Sequence, residues 1–310
     1  MKKIDVIFDT DIGSDCDDIH ALSLLIWGQK AGLCNIKAVT YCQVSPHGVA
    51  VINSVFRYFN EEIPPIGLMP KKREMRDCYC QVLAEKFGKP EDYEVECLSA
   101  VAQMRKTLAE SDGDVVICAV GPLTNIADLL NSQPDCYSDL NGVELVRQKC
   151  KSIVSMCGGR MEEEGKHIPE FNAFVEPEAT RTMFEKSPVE VIVSPVELGL
   201  ETLTTKELVA KYDGTDPLTL SYLQFIDGRE GRPSCDPVTV LYMLLGCEDW
   251  FYLSPWGEVT VEDDGATYFA AKEGGLHRYL TQKILDGETE EQARRRVAVF
   301  MDDKVGSIMK

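Results

Sequence analysis

No stretch of the 310-residue chain approaches the roughly 20 consecutive apolar residues that a membrane helix needs, so a membrane-spanning protein is not expected. Basic charge is short as well. With 32 Lys and Arg against 51 Asp and Glu the formal net charge is −19, a field that repels polyanions and leaves no footprint for nucleic acid or anionic lipid. The start, MKKIDVIFDTD, meets Asp5 and Asp9 before an apolar stretch of signal-peptide length forms; it reads as a first strand, and the expected location is cytoplasmic. Paired CxxC spacing is missing too. The 12 cysteines are scattered, which argues against a disulfide framework or a zinc site and for reduced, buried small hydrophobes. With no repeat, low-complexity tract or Pro/Gly/Ser linker to cut at, residues 1–310 are read as one domain.

What is present is alternation. Apolar runs at Ile4–Phe8, Ile36–Tyr41, Asp114–Val120, Ser152–Cys157 and Val189–Ser194 read as strands. Between them lie helix-periodic segments such as Asp18–Lys30, where Leu22, Leu25 and Ile26 share a face. Strand, crossover helix, strand repeated in this way predicts an α/β protein: a mainly parallel open sheet with helices on both faces and a Rossmann-like core, which binds ligands beyond the carboxyl ends of its strands. From Lys206 onward the chain reads as helices, with a short strand-like passage at Glu258–Ala270 and a charged helix over about Glu288–Lys304. Three polar stretches sit at predicted carboxyl ends: DTDIGSDCDD, GPLTN and GGRMEEEGKHIPEFN.

The first of these crowds Asp9, Asp11, Asp15, Asp17 and Asp18 into ten residues. Two carboxylates about 4 Å apart repel by roughly 4 kcal/mol at an effective dielectric near 20, so a cation, a proton or open water must resolve the crowding. A calcium loop of the EF-hand kind starting at Asp9 needs Gly sixth and Glu twelfth; here Gly13 is fifth and His20 twelfth. An aspartyl-phosphate phosphatase using Asp9 as nucleophile fits the strand-then-DxD start, but has Gly13 where Thr or Val is usual and leaves three aspartates unexplained. Helix capping accounts for Asp17 or Asp18 and not for the others.

Taken in order, DTDIGSDCDDIHAL, AVGPLTNIA, GG with PEFN and EPEA, and CDPVTVL resemble the inosine-uridine preferring nucleoside hydrolase family, from Asp9 to about Leu241. The resemblance implies hydrolysis of the N-glycosidic bond of ribonucleosides to free base and ribose, with a tightly held Ca²⁺. It implies Asp11 as a metal ligand that is also general base on the attacking water. Asp18, the Val120 carbonyl and Asp236 are the other implied ligands, and Asp9 a buttress behind them. Asp17 and Asn172 are implied to grip the ribose hydroxyls and Glu170 the 5′ end of the sugar. The implied partner is a small nucleoside, with no nucleic acid or membrane, and the implied assembly a homodimer or homotetramer.

The pattern departs from the family in four places. Ser14, Asp15 and Cys16 stand between Gly13 and the Asp pair, leaving Asp15 without an assigned role. Cys235 precedes Asp236 where His is usual, and is either the acid for the departing base or a packing residue. Ser45 stands about where an Asn is expected to meet the substrate, and Glu163, Glu164, Lys166 and His167 replace another Asn. His47 and His167 are substitutes for the missing acid or exposed side chains; Tyr222, Phe225 and Arg229 stack on a base or pack, and Trp27 reads as core. A non-catalytic ribosyl-ligand binder remains an alternative.

Overall fold

The computed structural model describes residues 3–70, 76–159, 161–163, 166–226 and 229–310. Its elements run β1 (Ile4–Thr10), α1 (Asp17–Lys30), β2 (Cys34–Tyr41), α2 (Gly48–Tyr58), β3 (Ile66–Leu68), α3 (Cys80–Phe87), β4 (Leu98–Ser99), α4 (Ala100–Glu110), β5 (Val115–Ala119), α5 (Thr124–Asn131), α6 (Gly142–Lys149) and β6 (Cys150–Met156). There follow β7 (Met161–Glu163), β8 (Lys166–Ile168), α7 (Phe171–Val175), α8 (Pro177–Lys186), β9 (Glu190–Ser194), α9 (Val196–Leu200), β10 (Leu203–Thr204), α10 (Lys206–Tyr212), α11 (Pro217–Ile226), β11 (Arg232–Pro233) and α12 (Cys235–Leu245). The chain ends with β12 (Phe251–Leu253), β13 (Gly257–Val261), β14 (Thr267–Ala271), β15 (His277–Gln282) and α13 (Glu290–Gly306).

The central sheet has the order β14-β13-β15-β9-β6-β5-β1-β2-β3-β4, with β12 paired to β15. From β15 through β4 every pairing is parallel. Strands such as β5, buried at every residue, carry apolar side chains on both faces because helices cover both. Alternation divides them. Val6 and Phe8 of β1 join the core under α1, α2, α12 and α13, while Ile7 joins the one under α4, α5, α6 and α8.

This order positions the site. After β1 the chain moves outward through β2, β3 and β4, then returns to lay β5 on the opposite side of β1. Crossovers that diverge from neighbouring strands open a crevice at their carboxyl ends. Here the crevice lies between β1 and β5, whose ends are tied by Val120 N–H donating to the Asp9 carbonyl at 2.8 Å.

Two elements differ from the sequence expectation. Helix α1 is buried on nearly every side from Asp17 to Ile26, because α12 and α13 pack over the face that an amphipathic helix would give to water. The strand-like passage at Glu258–Ala270 is the hairpin β13–β14, and it is joined by β15, which extends the parallel sheet beside β9. All twelve cysteines are free and seven of them are buried. Trp27 packs edge-on against Phe300 at 6.2 Å. Among the described residues no helix is long and apolar enough to cross a membrane.

Candidate functional site

Residues 11–16 join β1 to α1, and distant side chains hold their backbone. Gly13 sits at φ +117°, a conformation that favours glycine, and a Cβ there would lie 2.8 Å from Cys80 Sγ. Its N–H donates to Tyr79 Oη at 2.8 Å, and Tyr79 Oη donates onward to the Asp15 carbonyl at 2.7 Å. Cys78 N–H donates to the Gly13 carbonyl at 2.8 Å, and Tyr41 Oη to that of Ile12 at 2.8 Å. Buried backbone polar groups must be paired, and this segment is paired by residues far away in sequence. The next residues open α1.

Helix α12 packs beside α1, so the first turns of two helices lie together, one carrying Asp17 and Asp18 and the other Asp236. The positive end of each helix dipole favours an acidic residue there. One carboxylate oxygen from each of the three lies within 4.8 Å of the others. They are 5, 1 and 6 % exposed, which is what makes the arrangement unusual. Asp17 accepts Asp236 N–H at 3.1 Å; Asp18 accepts Asp11 N–H at 3.2 Å and the Thr10 hydroxyl.

Burial, followed by neighbouring negative charge, pushes all three well above the ordinary carboxylate range. The chief neighbour is Asp15 for Asp17, Asp11 for Asp18 and Asp17 for Asp236. Buried anions without a compensating charge are costly. An all-oxygen donor set of this kind fits a hard divalent cation.

Asp11 is not one of the three whose oxygens meet. Its carboxylate accepts the Ser14 hydroxyl and lies against the end of β5, where a Cβ on Gly121 would come within 2.7 Å of its Oδ1. The Val120 carbonyl accepts Asn172 Nδ2–H at 2.9 Å, and Asn172 also donates to the Met156 carbonyl at 3.1 Å. Glu170 caps α7: it takes the N–H groups of Asn172, Gly158 and Ala173 at 2.7, 3.0 and 3.2 Å, yet burial still pushes it up to about 7. Asp9 is fully buried behind the loop, bonded to Thr40 Oγ1 at 2.5 Å and Asn125 Nδ2 at 2.8 Å, and burial pushes it up to about 7. Because it does not reach the cavity, the phosphatase alternative loses its nucleophile.

All of these carboxylates except Asp9 lie on a cavity of about 550 Å³. Asp11, Asp17, Asp18, Val120, Glu170, Asn172, Cys235 and Asp236 all line it, and Ser45 does not. Ser45 is turned to Asp77, its hydroxyl donating at 2.5 Å, so the position expected to contact substrate serves the loop after β2. Cys235 reaches the wall, but its Sγ lies 3.8 Å from the Val196 carbonyl and burial pushes the thiol up. It packs tightly enough on Gly199 that a Cβ there would meet Cys235 Cα at 2.3 Å. This is the environment of a packing residue rather than of an acid. His47 contacts Tyr93, Nδ1 to Oη 3.0 Å, away from the cavity. Tyr222 is buried, Phe225 is partly buried and packs against the core, and Arg229 pairs with Asp213 at 3.3 Å. Glu164 and the side chains of Glu163, Lys166 and His167 lie outside the described residues.

Three contributions escaped the sequence reading. Phe171 and Phe174 on α7 are 54 and 58 % exposed and line the cavity with Leu200 and Ile168, an apolar part of a lining that also holds the carboxylates; their i, i+3 spacing is the available signal. Tyr79 acts across 66 positions. Asp15, without a role in the sequence, is paired with Arg232, whose Nε lies 3.1 Å from its Oδ1 and whose Nη2 meets Oδ2.

Known proteins share this arrangement of elements. The sequence model of the family described as inosine-uridine preferring nucleoside hydrolase matches residues 6–305. The pyrimidine-specific ribonucleoside hydrolase RihA of Citrobacter koseri is 26% identical over 261 residues, covering 77% of this chain and 78% of the relative. An uncharacterized protein of Schizosaccharomyces pombe is 30% identical over 145 residues, covering 43% of this chain and 43% of the relative. Among solved structures, a plant nucleoside hydrolase superposes with a TM-score of 0.70 at 17% identity, covering 98% of this chain and 99% of the other. The type III effector XopQ, complexed with adenosine diphosphate ribose, superposes with a TM-score of 0.70 at 13% identity over 99% and 95%. The two structural matches show a shared fold. The family match runs over nearly the whole sequence, and by it this chain belongs to the inosine-uridine preferring nucleoside hydrolase family.

Proposed function

We propose that the protein hydrolyses the N-glycosidic bond of ribonucleosides in a calcium-dependent reaction, releasing base and ribose. The observation that carries this reading is the meeting of Asp17, Asp18 and Asp236, buried and mutually repelling, at the floor of a cavity. Its volume suits a ligand of nucleoside size. Asp17, Asp18 and Asp236 would hold the ion, with Asp11 and the Val120 carbonyl beside them on the cavity wall. When bound, Ca²⁺ supplies charge that orients the sugar diol and acidifies water.

The chain's own residues do the rest. Asp11 accepts a proton from the attacking water, which is the work of a positioned carboxylate. The anionic floor stabilises the positive charge that develops on the ribosyl ring as the C–N bond opens. Asn172 and Glu170, fixed by backbone bonds, shape the sugar end, and Phe171 and Phe174 offer aromatic faces to the base. The family relationship supports a cytoplasmic homodimer or homotetramer acting on a small nucleoside.

The test is to incubate the purified protein with a panel of nucleosides, with and without chelator, and to assay reducing sugar. Sugar release that chelator abolishes is expected. No product from any nucleoside, in a protein shown to bind calcium, sinks the reading. The packed environment of Cys235 and the fold shared with an effector complexed with adenosine diphosphate ribose favour one rival, a ribosyl-ligand binder. That rival predicts saturable binding with no sugar release.

A further inference from the structure

Breaking a glycosidic C–N bond leaves an electron pair on the departing base, and a cavity wall that donates hydrogen bonds there lowers the barrier. The side-chain donors among the described lining residues are few. Ser14 Oγ gives its proton to Asp11. Asn172 Nδ2 gives its two to the Val120 and Met156 carbonyls at 2.9 and 3.1 Å. Cys235 Sγ faces the Val196 carbonyl. Arg232 is different: Nε and Nη2 are bound to Asp15, while Nη1 has no protein acceptor among the described residues, on a side chain 29% exposed at the cavity wall.

The guanidinium is also held in place. Its Cζ lies 5.1 Å from the centroid of the Phe225 ring, so a carboxylate grips one edge and an aromatic ring covers a face. Arg232 sits on β11, three residues before Cys235 and four before Asp236, and Asp15 sits two residues before Asp17. The ion pair therefore joins the two segments that deliver the carboxylates. Arg232 is the one cationic side chain among the described residues lining the cavity.

We propose that Arg232, oriented by Asp15 and Phe225, is a catalytic residue that donates hydrogen bonds from Nη1 to the departing nucleobase. The proposal rests on the hydrolase reading above. The C–N bond breaks with its electron pair on the base, and the water oxygen bonds to the ribosyl carbon. The proton of that water passes to Asp11, and the base takes a proton from solvent. Arg232 keeps its own protons throughout, as a guanidinium does at neutral pH. Asp15 is a positioning residue for it.

The experiment compares inosine and uridine with 4-nitrophenyl riboside, whose leaving group is stable as an anion and needs no donor. In Arg232→Gln, kcat for the nucleosides is expected to fall on the order of 100-fold, with a far smaller loss on the nitrophenyl riboside. Arg232→Lys keeps the charge but not the planar fork, and is expected to show the same split; it serves if the glutamine variant folds poorly. Asp15→Asn is expected to show a weaker split in the same direction. Equal losses on both substrate types overturn the role of Arg232 and leave the hydrolase reading standing. Wild-type protein that cleaves the nitrophenyl riboside but no nucleoside of the panel overturns both the role of Arg232 and the nucleoside hydrolase reading. Wild-type protein that cleaves nothing sinks the hydrolase reading and this proposal with it.

Discussion

Two regions of the molecule bury charge, and they do it in opposite ways. Arg105 on α4 has a side chain only 1% exposed, and its donors are met. Nε and Nη2 bond Asp135 at 2.8 and 3.1 Å, Nη1 bonds Ser132 Oγ at 2.9 Å, and Nη2 reaches the Ser138 and Leu140 carbonyls at 3.0 and 2.9 Å. The guanidinium in turn holds the Asp135 carboxyl below the usual carboxylate range. At the carboxyl edge of β1 the opposite holds: Asp17, Asp18 and Asp236 are deeply buried too, and burial followed by the negative charge of nearby aspartates pushes all three well above the ordinary carboxylate range. A buried charge that is paired and fully hydrogen-bonded is tolerated by the fold and is costly to strand by removing one partner. A group of like buried charges that repel one another instead marks the place where a cation belongs.

The largest expected effect breaks this contrast from the acidic side. Asp236→Asn removes one negative charge from the cluster, so metal affinity measured by calorimetry should collapse and nucleoside hydrolysis should fall by at least about 10³-fold. The thermal midpoint in chelator should stay level or rise, because a repulsive buried charge has gone. Arg105→Met is the mirror image. It strands two carbonyls and one carboxylate, costing about 2 kcal/mol once the partial exposure of Asp135 is allowed for, and calcium affinity should not move. A drop in metal-free stability for Asp236→Asn as large as that for Arg105→Met would erase the distinction.

How far this contrast can be read from sequence depends on distance along the chain. Strands β1, β2, β5, β6 and β9 are legible because parallel strands buried on both faces are written as unbroken apolar runs, whereas β3 (Ile66–Leu68) and β4 (Leu98–Ser99) are too short to show one. Asp11, Asp17 and Asp18 are legible because they crowd one turn. Asp236 joined them only through the family resemblance, since nothing local says that the first turn of α12 will lie beside that of α1. Strand β15, HRYLTQ, is mostly polar and only partly buried, so period and composition both hide it. Arg232 with Asp15, and Tyr79 with Gly13, are pairings of tertiary structure with no local pattern. Ser45 failed for the same reason: its place in sequence was right for a loop at the sheet edge, but Asp77 claims its hydroxyl.

A smaller effect sharpens the comparison through pH. Asp9, Glu170 and Asp302 are pushed up to about 7 by burial, and Asp17, Asp18 and Asp236 are raised well above the ordinary carboxylate range. A carboxyl whose folded pKa is raised contributes stability that is present below its ordinary pKa and lost as pH rises through the folded value. His20, pushed down to about 3 by burial, and His277, also pushed down by burial, work the other way below about pH 6.5, but they are two groups against six. In chelator the thermal midpoint should therefore decline between about pH 5 and pH 8, a tenfold difference in proton affinity between folded and unfolded chain corresponding to ~1.4 kcal/mol. Saturating calcium should flatten the decline by favouring the ionised cluster. A midpoint in chelator that climbs over this range would contradict the charge assignment.

The smallest effect concerns how the acidic loop keeps its shape when its carboxylates repel. Tyr79 is buried, 1% exposed, and its hydroxyl is both acceptor for Gly13 N–H and donor to the Asp15 carbonyl. Tyr79→Phe preserves the ring and leaves those two backbone groups unpaired, a loss of about 1–3 kcal/mol. Part of that loss should appear as metal affinity, because the loop that relaxes is the one leading into Asp17 and Asp18. We expect calcium binding to weaken about 10-fold, corresponding to ~1.4 kcal/mol, with the midpoint in chelator falling by a few degrees for the remainder. Terbium luminescence in place of calcium reads the affinity without any turnover. If Tyr79→Phe lowers the midpoint while terbium binds as tightly as to the wild type, the hydroxyl supports the fold alone, and the loop holds its carboxylates by other means.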